Sequence, residues 1–506
     1  MLVCAVKHDG RHKARLVAGG HLTDIPLESV YSGVVSLQGL RTIIFLAELN
    51  GLQTWATDIG NACLEAKTKE KVYIIAGPEF GEREGHALVV YKALYGLRTS
   101  GLRWHERFAD CLKDMGFFPS KAEPDIWMRK NGNVYEYIAT YVDDLAIAMK
   151  DPQSIIDILT NVHNFKPKGT GFMEHHLGCD FFRDADGVLC FAPEKYIEKM
   201  LDNYFRMFGE KPREYTSPLE PGDHPELDTS PLLSPEDTSK YQSLIGAMQW
   251  AISLGKFDIC TAVMTMSSFR VAPREGHLKR VRRIIGFLSK FRYSAIRIRT
   301  EEPDYSDVPN PHYDWTYTVY GDVKEDIPTD APEPLGNSVT LTSYVDANLC
   351  HDYLTGRSVT GVLHFANQMP WEWFAKKQAS THSATFGTEH AATRTATEQI
   401  SQNRNYFRYL GVPINDVTYL FGDNKTTVDS ASVPHSKLNK RHTALSYHYV
   451  RERIAAGFLR YVWLPGKLNV ADVLSKHWSY QQVWPLLQPI LYWAGDTVLL
   501  FKESSD

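Results

Sequence analysis

Alternating apolar and polar positions, interrupted by stretches of helical period, divide the first half of the chain into strands and helices. The pattern predicts strands at residues 51–59, 133–142 and 145–149 and helices at residues 101–117 and 234–255. Only Asp143 and Asp144 separate the last two strands, so we expect both in a tight hairpin turn. Two adjacent carboxylates in so apolar a hairpin are unfavourable unless a cation compensates them.

The last third of the chain follows a different order of elements. The pattern predicts strands at 338–347, 357–367 and 369–377, a helix at 388–411, a strand at 417–423, a helix at 439–457 and a strand at 458–465. Three strands followed by alternating helices and strands indicate an α/β unit with a mixed sheet. An acidic, proline-rich segment at 301–337 precedes this unit, and a weaker break lies at 212–237.

Composition narrows the class of protein without identifying it. The chain has 506 residues, of which 43% are hydrophobic and 23% charged, which suits a soluble protein of two to four domains. We find no apolar run long enough for a membrane span or a signal peptide. The seven cysteines are scattered without a C-x-x-C pair, which favours reduced thiols in a cytoplasmic or nuclear protein that is not secreted.

The net charge of −5 argues against a simple basic nucleic-acid-binding protein, but the average conceals basic segments. Residues 274–299 hold nine Lys and Arg and one Glu, and residues 7–15 are also basic. Each segment taken alone is better explained as a solvated helix face or hairpin. Beside a polymerase or nuclease site, the same charges would contact phosphates.

Three acidic residues of the first half are placed where a metal site can form. Asp58 lies near the end of one predicted strand, and Asp143 and Asp144 follow another. Nucleotide addition by a two-metal mechanism needs several carboxylates around two cations about 4 Å apart. A solvated turn is the ordinary explanation for a pair of aspartates, so the neighbouring motifs must decide between such a turn and a metal site.

Six segments around these acids follow one another in a characteristic order: KARLVAGG (13–20), TDIGNACLEA (57–66), KALYGLRTSGLRWHERF (92–108), EPDIW (123–127), YVDD (141–144) and HLGCDF (176–181). They resemble the reverse transcriptase of copia-type long-terminal-repeat retrotransposons, and the A-L-Y-G-L-[KR] segment is especially specific to that family. The resemblance implies a fingers–palm–thumb polymerase, here truncated at the N-terminus of the fingers. Its implied partners are an RNA template, a DNA primer and dNTPs, and its cofactor is Mg²⁺, with Mn²⁺ as an alternative.

The resemblance also assigns roles to individual residues of this half. It places Asp58, Asp143 and Asp144 at the metal ions, Lys13 and Arg15 at the incoming triphosphate, and Cys63 and Tyr141 at the substrate. Position 63 departs from the family, which usually has an aromatic residue there that excludes a ribose 2′-hydroxyl. Either discrimination against ribonucleotides is looser in this chain, or this copy of the gene has decayed.

A second set of acids is spread over the last third of the chain. Its members are Asp346 in SYVDAN, Glu389 in SATFGTEHAA, Asp423 in FGDNK and Asp472 in NVADVLSK. With the segments GRSVTG and WFAKKQAS, they resemble the RNase H domain that ends copia-type polyproteins. The resemblance implies that these four acids bind two Mg²⁺ ions and that the domain hydrolyses the RNA strand of an RNA–DNA hybrid. Glu389 fits a branch of the family without a gap, and we choose it over Glu398.

The resemblance suggests five regions. They are reverse transcriptase fingers and palm (1–180), a thumb or connection region (181–300), the linker (301–337), an RNase H-like domain (338–480) and a C-terminal tail (481–506). The motifs of an aspartic protease and of an integrase are missing, so the chain resembles the C-terminal part of a Pol polyprotein. In an intact element it would function inside a virus-like particle.

Three alternatives to a bifunctional enzyme stay open at this point. The first is an inactive relic of a retroelement, and the second is a nucleic-acid-binding protein without polymerase activity. The third is a metal-dependent nuclease alone. Within the RNase H segment, His442 and His448 match family positions and are explained equally well by substrate contact and by packing.

Overall fold

The computed structural model describes residues 2–6, 12–309, 311, 313–415, 417–438 and 444–493. It forms two compact units, residues 1–173 and residues 174–506. Each unit combines sheets with packed helices, which confirms the mixed α/β class expected from the sequence. Among the described residues, no helix has both the length and the apolar character needed to span a membrane.

Within its described residues, the first unit contains ten strands and three α-helices. In chain order these are β1 (Leu2–Val6), β2 (His12–Leu16), α1 (Leu37–Asn50), β3 (Gln53–Ile59), β4 (Lys67–Ile75), β5 (Ala87–Lys92), α2 (Ser100–Asp114), β6 (Phe118–Pro119), β7 (Ile126–Asn131), β8 (Val134–Tyr141), β9 (Asp144–Met149), α3 (Pro152–Asn161) and β10 (Pro167–Phe172). Six strands form one sheet in the order β10-β3-β9-β8-β7-β6, and β1–β2 and β4–β5 form separate antiparallel pairs.

The core of the first unit lies between the six-stranded sheet and helices α2 and α3. Trp104, Phe108 and Leu112 recur on α2 at helical spacing and pack against Ile138 of β8 and Ile147 of β9. The alternation of the strands directs one set of side chains into this layer, as the sequence pattern requires. The core therefore fixes β3, which carries Asp58, and the β8–β9 hairpin, which carries Asp143 and Asp144.

The second unit contains ten strands and nine helices within the described residues. In chain order these are β11 (His175–His176), β12 (Cys179–Arg183), β13 (Leu189–Ala192), α4 (Glu194–Phe208), α5 (Pro235–Ser253), α6 (Cys260–Ser267), α7 (Glu275–Lys290), β14 (Ser294–Arg297), β15 (Leu341–Asp352), β16 (Arg357–Ala366), β17 (Met369–Thr381), α8 (Thr385–Tyr409), β18 (Thr418–Gly422), α9 (Lys425–Ser432), α10 (Ala444–Ala455), β19 (Leu459–Trp463), α11 (Asp472–Ser475), α12 (Tyr480–Leu487) and β20 (Leu491–Trp493).

Two five-stranded sheets organise the second unit. One has the order β11-β12-β13-β14-β20 and the other the order β17-β16-β15-β18-β19. In the second sheet β15, β16 and β17 are antiparallel, whereas β15, β18 and β19 are parallel neighbours. This is the mixed sheet that the order of predicted elements indicated. Helix α8 covers it through Ala392, Ala396 and Ile400.

Two predicted regions differ from the structure. The described residues of 301–337, which exclude 310 and 312, form no helix or strand, yet they dock on the second sheet and its helices. Within this segment Glu325 binds Arg404 at 2.6 Å and Arg408 at 2.7 Å, and Tyr305 packs against Tyr419. The supposed tail from residue 481 contains most of α12, and β20 pairs with β14. An acidic segment can therefore order itself when buried arginines are available as partners.

The basic segment at 274–299 also differs from a free phosphate-binding surface. Arg280 of α7 pairs with Asp223 at 2.8 Å and Asp228 at 2.7 Å, and Arg283 pairs with Glu220 at 2.7 Å. Most of these partners come from the acidic segment 212–237, which the sequence marked only as a break. Much of the charge expected to contact a template–primer is therefore used to hold α7 in place.

Candidate active sites

The three acids of the first unit meet at one edge of the six-stranded sheet. Asp58 of β3 lies directly opposite Asp144 of β9 in the antiparallel register, so their side chains share a face of the sheet. The backbone N–H of Ile59 donates to the carbonyl of Asp143 at 2.8 Å, which ties the turn to the end of β3. The structure thus places the three acidic residues that the sequence singled out at the same edge of the sheet.

The hairpin turn differs in one detail from the prediction. Tyr141 pairs with Asp144, so the turn residues are Val142 and Asp143, and Asp144 already belongs to β9. Val142 has φ of 57°, in the left-handed region that a β-branched residue rarely adopts. Strain of this kind persists only where the surroundings enforce it, and it is frequent at functional sites.

Trp104 of α2 holds this strained turn. Its indole Nε1–H donates to the carbonyl oxygen of Val142 at 2.6 Å, and its ring is buried against Phe108 and Phe165. Trp104 lies in one of the segments that resemble the family, but no role was predicted for it from the sequence. The signal was present, because a buried tryptophan needs a partner for its N–H, but its distance in the sequence from Val142 concealed the pairing.

A basic and aromatic wall adjoins the carboxylates. The guanidinium of Arg15 lies 4.9 Å from the ring centroid of Tyr95, a residue of the A-L-Y-G-L segment to which we assigned no role. Burial, followed by the nearby Cys63, raises the pKa of Tyr95. Asp143 adds to this rise, whereas Arg15 opposes it. The side chain of Lys13 lies outside the described residues, although its backbone is part of β2.

Cys63 lies beside these groups rather than at a distance. It is buried in a short 3₁₀ helix at residues 62–65, directly after β3. Burial and then the carboxylate of Asp143 raise the pKa of the Cys63 thiol, while Arg15 opposes the rise. A small neutral side chain therefore occupies the position where the family has an aromatic ring.

The acids of the second unit form a tighter cluster. Asp346 lies in β15 and Asp423 directly follows β18, and because these strands are parallel neighbours the two side chains meet at one end of the sheet. Asp472 begins α11. One carboxylate oxygen from each of the three lies within 4.8 Å of the others. Oxygen donors at this spacing fit a hard divalent cation such as Mg²⁺.

The segment around Asp472 is fixed by two contacts with the sheet. The side-chain amide of Asn469 donates to the carbonyl of Val345 at 2.9 Å, one residue before Asp346. Gly361 of β16 lies under α11, where an added Cβ would meet the carbonyl oxygen of Ala471 at 2.9 Å. The motifs NVAD and GRSVTG therefore both position α11 on the sheet.

Glu389 completes the cluster from helix α8. It is 4% exposed, and burial followed by the carboxylates of Asp346 and Asp423 raises its pKa well above the usual range. Glu398 lies further along α8 and pairs with Arg394 at 2.8 Å on a more exposed face. The geometry thus favours Glu389 over Glu398 as the fourth acid.

The acids destabilise one another's ionised forms in the absence of a cation. Burial, followed by the charge of Asp346, raises the pKa of Asp423 and raises that of Asp472 to about 7. Carboxylates that hold protons near neutral pH bind a metal ion only as they release those protons. The site therefore couples metal binding to proton release.

Lys476 supplies a positive charge inside this cluster. Its ammonium Nζ lies 2.6 Å from an Asp472 oxygen and 3.2 Å from an Asp346 oxygen, and the neighbouring Ser475 hydroxyl donates to Asp346. These carboxylates raise the pKa of Lys476 and keep it protonated. Lys476 was not predicted from the sequence, although it stands one turn of helix after Asp472, where a side chain on the same face is expected.

We expect the substitution Lys476→Gln to have two opposite effects. The metal-free protein should unfold at a lower temperature, because four carboxylates lose their only internal cation among the described residues. Affinity for Mg²⁺ should rise by roughly 10-fold, since a unit charge a few ångströms away interacts strongly with a bound cation. Calorimetric Mg²⁺ titration and thermal unfolding in EDTA measure the two effects. The control is Lys376→Gln, which changes an exposed side chain of β17. Unchanged Mg²⁺ affinity would contradict this role.

One of the two histidines singled out in the RNase H segment, His448, lies among the described residues. His448 of α10 accepts or donates a hydrogen bond with the Tyr320 hydroxyl at 2.7 Å, so the docked segment 301–337 engages it. That contact supports packing for His448 in this structure. His442 lies outside the described residues.

Comparisons with known proteins identify the first part of the chain. The family described as Reverse transcriptase (RNA-dependent DNA polymerase) matches residues 3–217. The Retrovirus-related Pol polyprotein from transposon RE1 of Arabidopsis thaliana is 24% identical over 92% of this chain. That from transposon TNT 1-94 of Nicotiana tabacum is 25% identical over 94% of this chain. The chain covers 29% and 34% of these relatives, so it spans about a third of their length.

A shorter relative and two solved structures complete the comparison. A putative transposon Ty5-1 protein of Saccharomyces cerevisiae is 27% identical over 56% of this chain and 88% of its own length. The foamy viral protease-reverse transcriptase in complex with RNA/DNA hybrid aligns over 94% of this chain and 72% of its own, with 11% identity and a TM-score of 0.29. LC11-RNase H1 in complex with RNA/DNA hybrid aligns over 27% of this chain and 94% of its own, with 12% identity and a TM-score of 0.22.

The family match and the arrangement of acids define the class of protein as a reverse transcriptase followed by an RNase H-like domain. Residues 3–217 match the reverse transcriptase family, and more than nine tenths of the chain is similar to Pol polyproteins of retrotransposons. This similarity agrees with the resemblance to copia-type elements that the sequence motifs indicated.

Proposed function

We propose that this chain extends a DNA primer on an RNA template with dNTPs, and that Asp58, Asp143 and Asp144 are its catalytic acids. The observation that supports this most directly is the register of β3 and β9, which sets Asp58 opposite Asp144 beside the Asp143 turn. Bound Mg²⁺ would activate the primer 3′-hydroxyl and stabilise the leaving pyrophosphate. In this proposal the turn residue Asp143 and the facing residues Asp58 and Asp144 hold such ions at the edge of the sheet.

The protein's own residues would contribute orientation around the nucleotide. Arg15 offers a guanidinium to the triphosphate, and Tyr95 holds that guanidinium over its ring. Trp104 keeps the turn in its strained form so that Asp143 points consistently. Cys63 and Tyr141 border the substrate in this proposal, as the family resemblance implies.

Cys63→Tyr tests whether position 63 contacts the sugar. A ring in place of the small thiol side chain should exclude a 2′-hydroxyl by steric contact, so we expect ribonucleotide incorporation to fall by at least about 10-fold. Incorporation of dNTP and rNTP opposite the same template base measures the ratio, with Cys63→Ser as the matched small control. An unchanged ratio would remove Cys63 from the nucleotide site.

We also propose that the second site hydrolyses the RNA strand of an RNA–DNA hybrid. The cluster of Asp346, Asp423 and Asp472 within 4.8 Å, closed by buried Glu389, supports this activity. Two bound Mg²⁺ ions would activate a water and stabilise the leaving oxygen at the scissile phosphate. The chain would function in the cytoplasm or nucleus with nucleic-acid partners.

A single assay tests both proposals. The full chain is incubated with a labelled DNA primer on an RNA template, dNTPs and Mg²⁺, and primer length and template fragments are followed together. Extension and template cleavage would support the bifunctional enzyme. Cleavage alone would favour a nuclease, binding without either reaction would favour a nucleic-acid-binding protein, and neither binding nor reaction from folded protein would indicate a relic.

A further inference from the structure

The ribbon of β4 and β5 in the first unit carries an unusual exposed face. Tyr73, Ile75, Val89 and Tyr91 are 50%, 70%, 62% and 64% exposed. Tyr73 and Val89 lie opposite each other in the register, and alternate residues of β4 turn the same way. A soluble protein seldom exposes four large apolar side chains together without a partner for them.

Lysines lie beside the rings. Lys67, Lys69 and Lys71 are exposed along β4, whose register with β5 shifts between Lys67 and Val72. The ammonium of Lys67 lies 5.3 Å from the ring centroid of Tyr91, and that of Lys71 lies 5.8 Å from the ring centroid of Tyr73. Lys69 is partly neutralised by Glu106 at 3.1 Å, which leaves Lys67 and Lys71 as the main charges.

The ribbon also begins and ends at the polymerase site. β4 starts four residues after Cys63, and β5 ends three residues before Tyr95. The backbone N–H of Ala93 donates to the carbonyl of Ala66 at 3.0 Å and closes the base of the ribbon. A strand bound along this face would therefore lead toward the wall formed by Tyr95 and Cys63.

We propose that the exposed face of β4–β5 binds single-stranded nucleic acid and, during synthesis, the unpaired template strand. Bases stack on Tyr73 and Tyr91, and Lys67 and Lys71 contact the adjacent phosphates. Aromatic rings interleaved with cations are how proteins hold single strands without reading their sequence. A protein partner fits less well, because lysine is depleted in the cores of protein interfaces. The assignment of the strand as template rests on the proposed function, whereas single-strand binding does not.

The test measures binding to a labelled 20-nucleotide single-stranded DNA or RNA by fluorescence anisotropy. EDTA is present throughout, so neither metal site contributes. Loss of both rings in Tyr73→Ala/Tyr91→Ala should weaken binding by roughly 30-fold or more, because each stacked base contributes at least about 5-fold. Tyr73→Phe/Tyr91→Phe keeps the rings and should bind like the wild type. Tyr31→Ala, which removes a tyrosine that is 78% exposed elsewhere in this unit, is the matched control.

A second variant examines the charges. Lys67→Gln/Lys71→Gln should reduce the slope of log affinity against log salt by about 1.4, since each phosphate contact on a single strand contributes roughly 0.7. All variants change exposed side chains and should unfold at the wild-type temperature. Wild-type affinity and salt slope in the alanine and glutamine variants would overturn the proposal.

The outcomes separate this inference from the polymerase. If the wild type binds single strands through the ribbon but does not extend a primer, the proposed polymerase fails and the binding face stands. If the wild type extends a primer and the ribbon variants bind single strands normally, only the ribbon proposal fails. If the variants instead alter self-association in sedimentation with nucleic-acid binding unchanged, the face joins two copies of the chain and the proposal is wrong.

Discussion

Asp144→Asn, and separately Asp143→Asn, should reduce primer extension by about 1000-fold or more while hybrid cleavage continues at the wild-type rate. Each substitution removes the charge of a proposed metal ligand from the edge of the sheet, where Asp144 faces Asp58 across the β3–β9 register. An amide carries no negative charge. It therefore compensates neither for the water that a divalent cation loses on binding nor for the charge of that cation in the transition state. The measurement is single-nucleotide extension of a labelled DNA primer on RNA at saturating Mg²⁺.

Stability separates a chemical effect from a folding effect in this experiment. Replacing one of two facing carboxylates by an amide removes a like-charge repulsion, so the variant should unfold no earlier than the wild type. Asp110→Asn is the matched control, because Asp110 is exposed on α2 and pairs only loosely with Lys113 at 3.6 Å. Normal extension by either active-site variant would remove that aspartate from the catalytic set.

Local motifs predicted the acidic residues of the polymerase site but not the residues that hold them in place. Asp58 and the YVDD turn are each encoded in a short apolar context, so period and spacing were sufficient to place them on strands. Trp104 and Tyr95 belong to the same site, but their contacts with Val142 and Arg15 join residues 38 and 80 positions apart in the chain. Hydrophobic periodicity carries no information about which distant backbone carbonyl a buried indole will reach.

The basic segment 274–299 shows the opposite limitation. Its charges are conspicuous in the sequence, and their ordinary explanation at a nucleic-acid enzyme is phosphate contact. The structure pairs Arg280 and Arg283 with acids of 212–237 and pairs Arg404 with Glu325. Composition reports charge but not its partner, so two acidic segments described as a break and a linker are in fact counter-ions of buried or half-buried arginines. The inconspicuous β4–β5 ribbon, in contrast, retains exposed lysines.

Glu389→Gln should abolish cleavage of the RNA strand in a hybrid, with a loss of about 100-fold or more, whereas Glu398→Gln on the same helix should cleave normally. Glu389 is buried against Asp346 and Asp423, and Glu398 is paired with Arg394. The pair of variants therefore decides between the two glutamates that the sequence offered. Cleavage of a labelled hybrid with Mg²⁺ is the measurement, and primer extension by the same preparations shows that the first unit is intact.

The stability of Glu389→Gln gives the experiment a second, independent readout. Burial and neighbouring carboxylates disfavour the ionised form of Glu389, so its pKa is raised in the folded protein above its unfolded value. The contribution of such a group to the stability of the fold is smallest at pH values above its folded pKa, because the folded protein then holds a buried charge. In EDTA the glutamine variant should therefore gain stability relative to the wild type as the pH is raised, and addition of Mg²⁺ should stabilise it less than the wild type. Loss of cleavage together with early unfolding in EDTA would mean that Glu389 supports the fold rather than the metal site.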